Sequence, residues 1–165
     1  MITITLQHDE PKVLYLALLY HLARPGSEID PETGKTHVAA LEPVMHFLTS
    51  VINEPIIELS CLPKQVERID TALSGLSNEL RQFVLSSSSV VPNFENTLIE
   101  FWPDVISDSN RLEEIMMLTM MTRRKLEVFF IQAEQELEHE KLLLEQERLL
   151  QRSQWWKIWK KFNRS

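Results

Sequence analysis

The chain has 165 residues, 44% of them hydrophobic, which is enough for one packed core and too apolar for a disordered segment. Its net charge is −7, and its 24 acids outnumber its 17 Lys and Arg, a balance that disfavours nucleic acid as a general partner. Only three glycines (Gly26, Gly34, Gly75) argue against a hairpin-rich β architecture, and one cysteine, Cys61, excludes an intrachain disulfide and fits a reducing, cytoplasmic compartment.

In chain order, Ile2, Ile4 and Leu6 alternate with Thr3 and Thr5, the period of a short strand. The N-terminus has neither the basic region nor the apolar run of a secretory signal. Asp9, Glu10 and Pro11 suit a first helical turn and predict a helix over 11–23. Val13 to Tyr20 is apolar nearly all round, so this helix belongs at the centre. It is also the longest apolar run, far short of the roughly twenty residues of a membrane span.

Residues 24–35 read as a loop, and a second helix is expected over 36–53, with Pro43 kinking it or marking its true start near Leu41. Residues 55–61 are short and β-branched, a partner for the N-terminal strand. Pro63 opens a third helix with Val66, Ile69 and Leu73 on one side, which Gly75 is expected to end. A fourth follows over 77–85, and a four-serine break over 86–89. A short helix over 93–102 groups Phe94, Leu98, Phe101 and Trp102 before Pro103.

Asn110 with Glu113 resembles a capping box, and no glycine or proline follows Asp104, so a helix is expected from about Arg111 to Gln151. Residues 112–133 carry large apolar side chains on more than one side, which predicts a segment wrapped by the rest of the domain. Met116, Met117, Met120 and Met121 are read there as core filler rather than as an adaptable groove. From Glu134 the apolar residues thin to a leucine seam among glutamates at 134, 136, 138, 140, 145 and 147.

All 24 acids precede residue 148, whereas residues 152–165 hold only bases: Arg152, Lys157, Lys160, Lys161 and Arg164. Residues 1–151 thus hold 12 bases against 24 acids, a net −12, and the tail is +5. Trp155, Ile158, Trp159 and Phe162 follow helical i, i+3, i+4, i+7 spacing, with Trp156 beside them. An aromatic side next to lysines suits the headgroup layer of an anionic membrane or an acidic, apolar groove on a protein.

Other motifs are incomplete. Glu32 to Thr36 ends like a phosphate-binding loop, but Ile29 stands where that motif needs glycine, and no strand is expected before it. Glu136 and His139 have the spacing of half a di-iron site, with no second copy. His21 and His46, on apolar helices, read as core or rim residues, and no nucleophile motif surrounds Cys61. No metal and no cofactor is expected.

The expected architecture is mainly α: a helical bundle-like domain over 1–133 with one minor strand pair, a protruding acidic, leucine-bearing helix over 134–151, and a basic aromatic amphipathic tail over 152–165. The expected function is that of a non-catalytic cytoplasmic adaptor or scaffold, attached through this tail to an anionic membrane surface or a protein complex. The alternative is a helical assembly subunit that self-associates through its C-terminal helix into a homo-oligomer. An enzyme would need convergent polar groups from distant positions, which the sequence does not display.

Overall fold

The structure is a computed structural model that describes residues 1–29, 34–36 and 39–162, with side chains described except at 109 and 153–162. Among these residues the protein is mainly α, with five helices and one two-stranded antiparallel sheet.

Strand β1 (Ile2–Gln7) pairs with β2 (Ile56–Cys61), with Ile2 opposite Cys61 and Gln7 opposite Ile56. Alternation sends Ile2, Ile4 and Leu6 of β1 and Ile57, Leu59 and Cys61 of β2 into the core. A one-residue slip would turn both sets outward, so burial fixes the register.

Helix α1 (Glu10–Leu22) is the hub. Val13, Leu14, Leu16, Ala17 and Leu18 are all fully buried, and a stripe along Lys12, Tyr15, Leu19 and Leu22 is half-buried. The sheet and the other four helices surround it: α2 (Glu42–Val51), α3 (Pro63–Ser86), α4 (Phe94–Phe101) and α5 (Ser109–Phe162). Helix α2 starts at Pro43's own turn, with Leu41 as its N-cap and Ala39 and Ala40 outside it; of the two expected outcomes, Pro43 marks the true start near Leu41 rather than kinking a helix begun at Thr36, because a proline ring clashes with a preceding helical turn.

A second correction concerns Gly75. It does not end a helix; α3 runs through it to Ser86, where Ser87 turns left-handed and returns its amide to the Phe83 carbonyl at 2.8 Å. The separate fourth helix over 77–85 is therefore the second half of α3. Gly75 is needed for packing instead. A Cβ there would lie 2.4 Å from Tyr20 Cε1 and 2.9 Å from Cδ1, so the missing side chain lets the α1 ring lie against α3. At the other end of α3, the Leu62 amide donates to Gln65 Oε1 at 2.9 Å, and Gln65 Nε2 donates to the Ala40 carbonyl at 2.8 Å, tying the start of α3 to the chain before α2.

Arg68 on α3 gathers the long connection between α1 and α2. Its guanidinium donates to the Ala39 carbonyl at 2.9 Å, to the Ser27 carbonyl, and to Glu28 Oε1 at 2.6 Å. Glu28 Oε2 accepts from the Leu41 amide at 2.6 Å. His21 Nε2 lies 3.2 Å from Arg68 Nη2. An arginine only donates, so Nε2 accepts and the ring is neutral, with its proton on a buried, unpartnered Nδ1. Burial, then the positive charges of Arg68 and Arg24, hold the His21 pKa below its ordinary value despite Glu28.

Helix α5 begins two residues earlier than the Asn110 cap would place it. Asp108 Oδ1 accepts from the Asn110 amide at 2.9 Å, so the capping carboxylate is Asp108. Its buried residues are Ile115, Thr119, Thr122, Leu126 and Ala133, a single line of positions along the helix. Ion pairs flank this line: Arg123 with Asp70 of α3 at 2.6 Å, and Lys125 with Glu10 of α1 at 2.6 Å. The expectation that residues 112–133 are wrapped is corrected. The domain covers one side only, and Met117, Met120 and Met121, read as core filler, are exposed, while Met116 is half-buried against the core.

Three outcomes are expected. Gly75→Ala destabilises the fold by about 1–3 kcal/mol in urea melts, because overpacking against Tyr20 exceeds the helix-propensity gain. In a Tyr20→Ala background the same change stabilises by about 1 kcal/mol, since only propensity remains. With a folded His21 pKa below about 6.5, the unfolded chain takes the proton first as pH falls. The His21 contribution is then fully favourable above the unfolded pKa and declines as pH drops towards the folded one; His21→Gln should flatten that part of the stability profile measured between about pH 7.5 and pH 5.5. A chain ending at Glu140 should keep a cooperative melt, since only exposed positions are removed among the described side chains.

Candidate functional site

Among the described side chains the last buried residue of α5 is Ala133, and every described residue from Glu138 to Arg152 is exposed. The helix nevertheless continues to Phe162, as the absence of glycine and proline dictates. At 1.5 Å per residue, the part beyond Ala133 spans about 44 Å. Its backbone is fully hydrogen-bonded internally, so it holds its direction without a supporting surface. A return to the domain would require a break that the sequence does not provide.

This geometry carries the charge reversal away from the domain. Residues 134–147 hold six glutamates and one lysine, and residues 148–164 hold six bases and no acid. Among the sequence-derived site residues, Arg152 is exposed on the helix. Trp155, Trp156, Lys157, Ile158, Trp159, Lys160, Lys161 and Phe162 are on the helical backbone, and their side chains lie outside the described residues, as does all of Arg164. The fourth tryptophan, Trp102, is elsewhere: it is 2% exposed, with its indole N–H 3.4 Å from Asp9 Oδ2.

A groove of about 1210 Å³ lies between α3 and α5, lined in part by Arg68, Arg81, Arg123, Arg124, Glu127 and Glu134. Two of its arginines are engaged, Arg68 with Glu28 and Arg123 with Asp70, and these pairs brace the fold. No lining residue is an ordered nucleophile–base pair of the kind acyl or phosphoryl transfer needs. Among the described residues, no group of three His, Cys, Asp or Glu is placed to hold a metal ion. Glu136 accepts from Gln132 at 3.0 Å, and His139 faces solvent. Burial pushes the Cys61 thiol up to about 12, which keeps it protonated and a poor nucleophile.

Glu32 and Thr33 lie outside the described residues, and Thr36 bridges to Ile29. Among the described residues, no helix is long and apolar enough to cross a membrane. The signal that sequence reasoning missed is the exposed side of α5 along Met117, Met121, Val128 and Ile131. Composition made these residues look internal; helical periodicity, followed at seven-residue intervals, marks them as one separate stripe. Comparison of the chain with protein-family models, with curated proteins and with solved structures found no match.

Proposed function

We propose that this protein is a non-catalytic adaptor whose C-terminal helix attaches it to an anionic membrane surface. The observation that supports this reading is a continuous helix, exposed from Glu138 to Arg152, whose sequence changes from acidic to basic and aromatic beyond residue 147. Acidic residues 134–147 are repelled by an anionic surface, while residues 152–164 are drawn to it. The helix therefore approaches the surface by its end and holds the net-negative domain back from the lipid. Trp155, Ile158, Trp159 and Phe162 supply the apolar side that enters the headgroup layer, and Lys157, Lys160 and Lys161 meet the lipid charge.

The magnitudes require both halves. Five bases near the surface contribute at most about 5 kcal/mol at low ionic strength, screened beyond about 8 Å at physiological salt. Partial burial of four apolar side chains adds less than about 1.5–3 kcal/mol each. Salt should therefore weaken attachment without abolishing it.

The test is titration with vesicles containing phosphatidylserine, followed by tryptophan emission and by pelleting. Binding should shift the tail emission to the blue over an invariant background from buried Trp102. Replacing Trp155 and Trp159 with alanine, or Lys157, Lys160 and Lys161 with glutamine, should each lower vesicle affinity at least about tenfold, a loss of some 1.4 kcal/mol. Unchanged emission and no pelleting at low salt would remove the membrane reading.

A further inference from the structure

The exposed side of α5 is opposite the side that covers the core. At 100° per residue, Met117, Met120, Met121, Val128, Ile131, Leu142 and Leu149 fall within one stripe about 100° wide, centred roughly 180° from Ile115, Thr119, Thr122, Leu126 and Ala133. These seven side chains are between 50% and 64% exposed. Met121, Val128, Leu142 and Leu149 recur at multiples of seven residues, with Gln135 at the remaining position between them. A seven-residue repeat drifts only about 20° per heptad on a straight helix, which a left-handed supercoil removes.

We infer that α5 pairs along this stripe with α5 of a second copy of the chain, antiparallel, about a two-fold axis near Gln135. The charges select the occupant and its direction. Antiparallel pairing about Gln135 places Met121 near the partner's Leu149 and Val128 near the partner's Leu142. It brings Arg124, which lies within the stripe, beside the partner's Glu145, and Glu127 towards the partner's Lys141. Arg124 makes no ion pair within its own chain among the described residues, so its charge is available for this contact. The acidic start of α5, Glu113 and Glu114, comes level with the basic tail of the other copy. Parallel pairing instead sets six glutamates of 134–147 against the same six, and the basic tails against each other.

Sterics agree with the charges. Helix α5 runs from Ser109 to Phe162, so an axis near Gln135 bisects it and both helices overlap along their full length. The domain sits on the far side of its own helix, and antiparallel pairing places the two domains at opposite ends. The pairing uses the side of α5 opposite that on which positions 155, 158 and 162 recur, so it does not draw on those apolar positions of the tail. Arg124, Gln135, Glu138 and Glu145 interrupt the apolar stripe, which sets the register through polar matches and limits affinity.

Sedimentation equilibrium of the full chain should give a concentration-dependent dimer. Met121→Glu with Leu142→Glu, both at exposed positions, should keep the cooperative melt and raise the dimer dissociation constant at least about tenfold. Arg124→Glu should weaken the dimer, and adding Glu145→Arg should restore it, because the two-fold repeats the swapped pair. For direction, a mixture of Met121→Cys and Leu149→Cys chains should form a mixed disulfide, with little Met121→Cys homodimer. A monomer at all concentrations overturns the inference. So does a dimer insensitive to Met121→Glu/Leu142→Glu, or one lost only on removing residues 152–165, since its seam then lies elsewhere. Preferential Met121–Met121 position cross-linking overturns the antiparallel arrangement. Vesicle binding that persists in the Met121→Glu/Leu142→Glu monomer leaves the membrane reading standing, and a dimer that survives in tail variants unable to bind vesicles leaves this inference standing.

Discussion

Burial of α1 over most of its circumference is the constraint on which the fold depends. Five consecutive or near-consecutive positions, Val13 to Leu18, carry side chains that are fully buried. Each contributes on the order of 1.5–3 kcal/mol when removed from water, Ala17 less. A helix buried over most of its circumference needs several partners, and a chain of this length supplies them from everything else it has. The sheet takes one side, α3 and α5 another, and α2 and α4 complete the enclosure. Aromatic edges close the α4 end, where Tyr15 meets Phe101 at 5.6 Å and Phe83 meets Phe94 at 6.3 Å.

Enclosure also explains which residues of α5 are inside. The buried line includes Thr119, Thr122 and Ala133, small side chains that let the helix backbone approach its neighbours. Thr119 satisfies its hydroxyl on the Ile115 carbonyl at 2.8 Å, so a polar residue fits there at little cost. The bulkier methionines sit on the side where nothing crowds them. Hydrophobicity alone ranks these positions in the reverse order; closeness of packing decides them.

The same helix therefore has two kinds of surface. One is consumed by the domain, and the other runs from Met117 past the domain into a stretch where charge changes sign. Attachment through the end and pairing along the side draw on different properties of that surface: lysines and aromatic rings for the first, a seven-residue apolar spacing with interrupted charges for the second. Both follow from letting one uninterrupted helix outgrow the core it helps to cover.

By itself the sequence determined the mainly helical class, the pairing of two alternating segments, the proline-marked helix starts and the continuity of α5. Each of these is a local matter of periodicity, ring geometry or missing breakers. The charge reversal after Glu147 was legible for the same reason. Tertiary structure alone decided the rest. Gly75 ends nothing because Tyr20 of α1 occupies the space where a side chain would stand, a contact between residues 55 positions apart. The loop before α2 is shaped by Arg68, which reaches it from α3 through Ser27, Glu28 and Ala39. Which side of α5 stays exposed was likewise invisible, because a helix apolar on several sides does not state which one its neighbours will have room to cover.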